Sequence, residues 1–218
     1  MRIANHSDTK TGPASRQDRR RAQTRAKLLG AAGALFARQG VENTRINEIT
    51  EEADLGFGSF YNHFENKEAI VAAVVEQAAA AAAEAIDAAT RSLKDPAEVV
   101  AVAHRSLIKQ AVDDPEWGWL LVRLEISHNL ASRTLGPYAR RDLARGIESG
   151  RFRVDDPEVA LIAAGGALLA VIRTVLQTPA DETTAQHHAA CVLRIFGLSP
   201  HDAAEVAARP LRRRRPSG

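Results

Sequence analysis

Within five consecutive positions, Ser59, Tyr61, Asn62 and His63 carry two hydroxyls, a carboxamide and an imidazole. They sit in the stretch "FGSFYNHF" (57–64), which also holds three phenylalanines in a chain that is only 5% aromatic. At about 100° per residue, a helix here puts Phe57, Phe60, Tyr61 and Phe64 on one side. Gly58, Ser59, Asn62 and His63 fall on the other. One side can bury in a small core. The other is a compact polar surface, rich in hydrogen-bond donors, beside a glycine. What it recognises depends on its neighbours.

The other reactive side chains do not assemble into a catalytic set. His187 and His188 are adjacent, so on a helix they point about 100° apart and form no metal pair. Cys191 lies three residues after His188, but no second pair of ligands accompanies them, and a packed thiol is the simpler reading. No glycine-rich phosphate loop follows a strand, and no nucleophile motif occurs. An enzyme is therefore not expected, nor a cofactor, nor a metal. Arginines gather instead, in "RQDRRRAQTRAK" ahead of an apolar helical pattern. Residues 1–67 carry 11 basic and 8 acidic side chains, residues 68–208 carry 13 and 19, and residues 209–218 carry five arginines and no acid. The net charge of +2 thus hides a segregation of positive charge to the two ends. A basic cluster leading directly into a helix suits a phosphate-facing element.

A chain of 218 residues, 45% hydrophobic and 26% charged, can bury a real core in one or two domains. Abundant alanine and few β-branched runs favour helices. The single cysteine forbids an intrachain disulfide and suits a reducing cytoplasm. The first 20 residues are basic and polar, with no targeting or anchoring segment in view. The run "VALIAAGGALLAVI" is of core length rather than membrane length.

The elements follow from periodicity and breakers. Residues 1–18 mix Ser, Thr, Gly, Pro and Asn and read as disordered. A helix from about Arg20 buries Leu28, Leu29, Ala32, Leu35 and Phe36 and stops at Gly40. Thr44 is placed to cap a short second helix with Ile46, Ile49 and Ala53 on one face. "DLG" is a turn, Phe57–Phe64 a third helix, and Asn66 the cap of a fourth running to about Arg91. Helices are expected further on at about 96–113, from Glu116, 136–149, 157–176 and 181–196, with a short helical turn at 199–209. A helix, a turn of three or four residues and a second helix is the geometry that enters a DNA major groove. Phe60 and Phe64 then pack beneath the third helix, Ser59, Asn62 and His63 face the groove, and Tyr61 lies at its edge with a free hydroxyl.

The residues Thr44, Ile49, Ala53, Gly58, Ser59, Phe60, Tyr61, His63, Phe64, Asn66 and Lys67 form a frame that resembles the DNA-binding signature of TetR-type, tetracycline-repressor-like regulators. The resemblance covers roughly residues 22–70; beyond them only length and helical character match. It implies an all-α homodimer that holds a palindromic DNA operator by paired recognition helices and releases it on binding a small molecule. Two departures stand out. Asp54 occupies a position where the family commonly has glycine. Phe57 stands where lysine is frequent, so an apolar contact, to a thymine methyl or a sugar, replaces a polar one.

On this basis residues 1–19 are a disordered basic arm, 20–66 the helix-turn-helix domain, 67–208 a helical ligand-binding and dimerisation domain, and 209–218 a disordered Arg-rich tail. The expected DNA contacts are Arg19, Arg20, Arg21, Arg25, Thr44, Arg45, Phe57, Gly58, Ser59, Tyr61, Asn62, His63 and Lys67. Trp117, Leu121, Leu124 and His128 recur on one face of the sixth helix and suit the wall of an effector pocket, with His104, Arg105 and Arg173 as polar candidates and Arg123 and Asn129 nearby. Few charges on that wall point to an apolar or amphipathic effector, larger than a simple metabolite. Leu168, Leu169, Ile172 and Val175 offer a dimer face, with Gly165 and Gly166 allowing close approach. A non-specific architectural DNA-binding protein would need the basic ends and the helix-turn-helix but no pocket.

Overall fold

The computed structural model describes residues 15–128, 135–178, 181 and 183–211. Among them are ten α-helices and no strand: α1 (Arg16–Gln39), α2 (Ile46–Glu52), α3 (Gly58–Tyr61), α4 (Lys67–Thr90), α5 (Pro96–Asp113), α6 (Pro115–His128), α7 (Gly136–Glu148), α8 (Pro157–Gln177), α9 (Thr184–Ile195) and α10 (Pro200–Ala208). The architecture is all-α, as the periodicity required.

Caps explain most boundaries. Ser15 Oγ accepts from the Asp18 N–H, and the Asp18 carboxylate accepts from the Ser15 N–H, each at 3.1 Å. This capping box starts α1 at Arg16, ahead of the expected start near Arg20, so Arg19 lies in a helix rather than in an extended arm. The rest of that arm (1–14) and residues 212–218 of the expected 209–218 tail lie outside the described residues, but Arg209, expected in the disordered tail, is held at the end of α10 by ion pairs to Asp95 and Glu98. Asn66, Asp95, Asp156 and Ser199 cap α4, α5, α8 and α10, and proline follows the last three at the first helical position. Thr44 does not cap α2. Its hydroxyl donates back to the Gly40 carbonyl at 2.8 Å, and Glu48 accepts from the Arg45 N–H at 2.7 Å. The third helix is shorter than expected, ending at Tyr61, and the C-terminal segment forms a nine-residue helix rather than a turn.

Two cores result. One runs from Leu28, Phe36, Ile49 and Phe60 through Ile70 and Val74 to Leu124 and Ile172. It joins α1, α2 and α3 to α4, α6 and α8, so apolar packing continues across the expected boundary at 66/67. The other gathers Leu143, Phe152, Val192, Leu193, Phe196 and Val206 from α7, α9, α10 and their loops. Arg151 clamps its edge by hydrogen bonds to Asp95 and Asp202, and those carboxylates hold its guanidinium well above the usual arginine range.

With 21 residues, α8 exceeds the core length read from its apolar run; by length and composition α4 and α8 could each cross a membrane. Here α4 packs on α1, α5 and α6, and α8 on α5, α6, α7 and α9. Leu168 and Ile172, expected at a dimer face, point into the core. The outward stripe of α8 is instead Val159, Ile162, Gly166 and Arg173. Gly166 carries no neighbour within 4 Å of a Cβ position.

Candidate nucleic-acid interface and effector cavity

The helix-turn-helix is built on Phe60 and Phe64, which are buried, with their ring centroids 5.8 Å apart. Asp54 turns the chain between α2 and α3 with φ of 54°, a left-handed conformation that glycine adopts freely. The exposed Arg38 guanidinium pairs with Glu52 at 3.1 and 2.9 Å, tying α1 to the end of α2.

Above this base, Phe57 and Tyr61 are exposed at 53% and 52%. The four aromatics therefore do not share one buried side, because α3 makes a single turn and Phe57 precedes it. Tyr61 stands edge-on to Phe57 (5.6 Å, 71°) and to Phe60 (5.3 Å, 78°). Asn62 and Arg45 are exposed, and Gly58 is exposed with open space around it. Ser59, His63 and Lys67 are half-buried. Thr44 is 1% exposed and its hydroxyl is committed to Gly40, so it supports the surface from below and presents no group to a base edge.

Helix α1 brings positive charge to the same place. The Arg25 guanidinium lies 5.1 Å from the Phe64 ring centroid. Burial, then the charges of Arg21 and Arg25, push the His63 imidazole below its ordinary range. Arg19 and Arg20 are exposed on the same helix. Arg21, Arg25 and His63 thus converge, while Arg45 and Lys67 flank the recognition segment in sequence.

A cavity of about 360 Å³ lies between α4, α5, α7 and α8, with Leu121 of α6 and Phe196 closing it. Ala83, Ile86 and Thr90 form the α4 wall. Its polar groups include Asp87, His104, Tyr138 and Asp142, and the Arg140–Glu158 ion pair, with both hydrogen bonds at 2.8 Å, spans its rim. His104 Nδ1 and His188 Nε2 are 2.9 Å apart, so one imidazole donates to the other. Burial depresses both, helped at His104 by its neighbour, and both stay neutral near pH 7.

Of the expected pocket residues, His104 and Leu121 line this cavity. Trp117 and Leu124 do not; they face inward into the first core, and Trp117 packs beside α1 and α4. Arg105 is buried but donates to the Arg209 carbonyl at the end of α10, which removes it from the pocket. Arg173 is exposed on the outer stripe of α8. The His128 side chain and Asn129 lie outside the described residues. Arg123 sits 5.5 Å from the Trp119 ring centroid rather than in the cavity. Cys191 is exposed, not packed, and His188 is the buried member of its pair. Sequence reasoning missed Asp87, Tyr138 and Arg140. Only the aromatic Tyr138 beside the "GP" break hinted at them, because the α4, α7 and α8 faces meet only in three dimensions.

A short helix, a turn and a second short helix beside a cationic helix face, carried on a larger all-α body, define a helix-turn-helix regulator. Residues 28–74 match the family described as bacterial regulatory proteins, tetR family, and residues 95–209 match the tetracyclin repressor-like C-terminal domain. The chain belongs to the TetR family of transcriptional regulators. It is 39% identical to RolR, whose crystal structure in complex with its ligand resorcinol superposes with a TM-score of 0.72 over 89% of this chain and 98% of RolR. RolR without ligand superposes with a TM-score of 0.69 over 85% of this chain and 97% of that one. The transcriptional repressor AcnR of Corynebacterium efficiens is 29% identical over 147 residues, covering 62% of this chain and 71% of AcnR.

Proposed function

We propose that the protein is a dimeric repressor that holds a palindromic operator and is released by a small aromatic effector. In this reading α3 enters the major groove, with Arg45, Phe57, Ser59, Asn62 and His63 toward base edges or nearby sugar. Tyr61, Lys67 and the arginines of α1 hold phosphates. The outward faces of α8 and α9 pair with a second copy, and the protein acts in the cytoplasm.

One observation carries the regulatory part. Helix α4 runs without a break from Lys67, beside the recognition segment, to Thr90 at the cavity wall. Its 24 residues span about 36 Å. A ligand in the cavity has differential affinity for α4 positions, and α4 position sets the spacing of the two recognition helices. Such coupling is what release requires. The cavity sits at the small end of the range for ligand sites, about 300–1,000 Å³. Apolar walls with Asp87, Thr90 and His104 suit an aromatic ring bearing one or two hydroxyls. This is a smaller effector than the sequence suggested, and RolR's resorcinol belongs to that class.

The test begins with selection of bound DNA from a random pool. The selected duplex is then titrated with protein by fluorescence anisotropy, with and without resorcinol and related phenols. A sharp operator that a phenol releases supports the reading. A diffuse, sequence-indifferent footprint would favour an architectural protein, and an operator that no phenol releases removes the effector class.

A further inference from the structure

Phe57 is the anomaly of the interface, an exposed phenylalanine at the entry to α3, its backbone already helical at φ −49° and ψ −42°. Its ring is held from one side. It meets Tyr61 edge-on, and Tyr61 meets the buried Phe60 edge-on, so the orientation of the exposed ring is set from the core outward. At the residues on either side, Gly56 and Gly58, a Cβ would meet no atom within 4 Å beyond the adjoining residues and the local helix backbone. Among the described residues Tyr61 is the aromatic neighbour of the ring, half of the residue is open to solvent, and there is room for a partner to approach closely.

The surroundings select that partner. Arg45 is exposed at the start of α2, and Arg21 and Arg25 converge on His63 beyond Tyr61. A rigid apolar ring in a cationic, donor-rich surface suits a polyanion that presents an isolated apolar group. In the major groove of B-DNA that group is the C5-methyl of thymine. We infer that Phe57 is a specificity-determining residue that reads a thymine methyl at one position in each operator half-site. The inference rests on the interface being the DNA-binding surface. Lysine at this position would add charge and no preference for a methyl; phenylalanine exchanges charge for methyl discrimination.

The experiment uses the full chain and the operator recovered by selection. Each thymidine is replaced singly by deoxyuridine, which removes only the methyl and keeps every hydrogen-bonding group. One position per half-site should lose about fourfold in affinity, the effect of one methyl taken out of an apolar contact. At that position 5-methyldeoxycytidine should bind more tightly than deoxycytidine by a similar factor. Phe57→Ala and Phe57→Lys should bind the thymidine and deoxyuridine duplexes equally. Circular dichroism checks that both variants stay folded, as an exposed side chain allows. Deoxyuridine tolerated everywhere by the wild type overturns the proposal, even if Phe57→Ala weakens all duplexes, since that pattern means a sugar contact. Sensitivity that survives in Phe57→Ala overturns it too, by assigning the methyl to another residue. If selection recovers no operator, the DNA-binding reading itself falls and the methyl readout falls with it.

Discussion

His104 and His188 stand 84 residues apart in the chain and 2.9 Å apart in the fold, joining the cavity wall on α5 to α9. Both are held neutral by burial, so the unfolded chain takes up protons before the folded one does. Their contribution is fully present above about pH 6.5, the ordinary histidine value, and is lost as the pH falls below it. We expect stability to drop on the order of 1.4 kcal/mol per pH unit for each imidazole that stays neutral. Urea melts between pH 7.5 and 5 measure this, and the double variant His104→Leu, His188→Leu should flatten the slope. An unchanged slope would place the pH response elsewhere. At the interface, the Tyr61 hydroxyl has no partner among the described residues and the ring is 52% exposed. Tyr61→Phe should keep the fold and weaken operator binding by about 1 kcal/mol, one hydrogen bond to a phosphate. Unaltered affinity would show that Tyr61 serves only to brace Phe57.

The turn between α2 and α3 and the packing of α7 show how single positions hold elements in place. Asp54 sits at φ of 54°, where a side chain crowds its own backbone. Aspartate tolerates this conformation better than most residues, so Asp54→Gly should raise stability by less than about 1 kcal/mol. Chemical denaturation reads the change, and a loss of stability would mean that the carboxylate contributes more than the strain costs. Gly146 presents the opposite case. A Cβ there would overlap the ring of Phe152, which packs at 5.3 Å from Phe196 in the second core. Gly146→Ala should therefore cost about 1–3 kcal/mol through displacement of that ring. A neutral result would show that the loop after α7 yields freely.

At the scale of the molecule, an exposed apolar stripe on α8 asks for a partner. Val159 and Ile162 are 60% and 73% exposed, Gly166 is bare, and Ile195 on α9 is 37% exposed. A helix so apolar over the first half of its outer face is at odds with a monomer in water, and pairing with the same face of a second copy, as proposed above, would bury it. Val159→Asp should leave each subunit folded, since Val159 is 60% exposed and does not line the cavity, and should give monomer where the wild type sediments as a dimer at micromolar concentration. Operator affinity should fall with it, because a lone subunit can hold only one half-site. A variant that remains dimeric counts against this interface.

Helix-turn-helix order, the buried pair Phe60 and Phe64, the cap at Asn66, and nearly every helix from α4 to α9 were legible in the chain. These depend on local periodicity and on backbone groups satisfied within a few residues. The family followed from the same short-range frame. What the chain concealed depends on contacts between distant segments. Thr44 looked like a cap but folds back on Gly40. Arg105 looked like a pocket group but is engaged by the carbonyl of Arg209. Trp117 and Leu124 share a face with Leu121, yet only Leu121 reaches the cavity, because α1 and α4 cover the rest. Between Val159 and Ile172 helix α8 is apolar all round, so that stretch could not say which stripe faces in; packing against α5, α6 and α9 decided that Leu168 and Ile172 do, leaving Val159 and Ile162 exposed. Periodicity marks which residues can be buried together. Which of them meet is settled only when four or five helices compete for the same space.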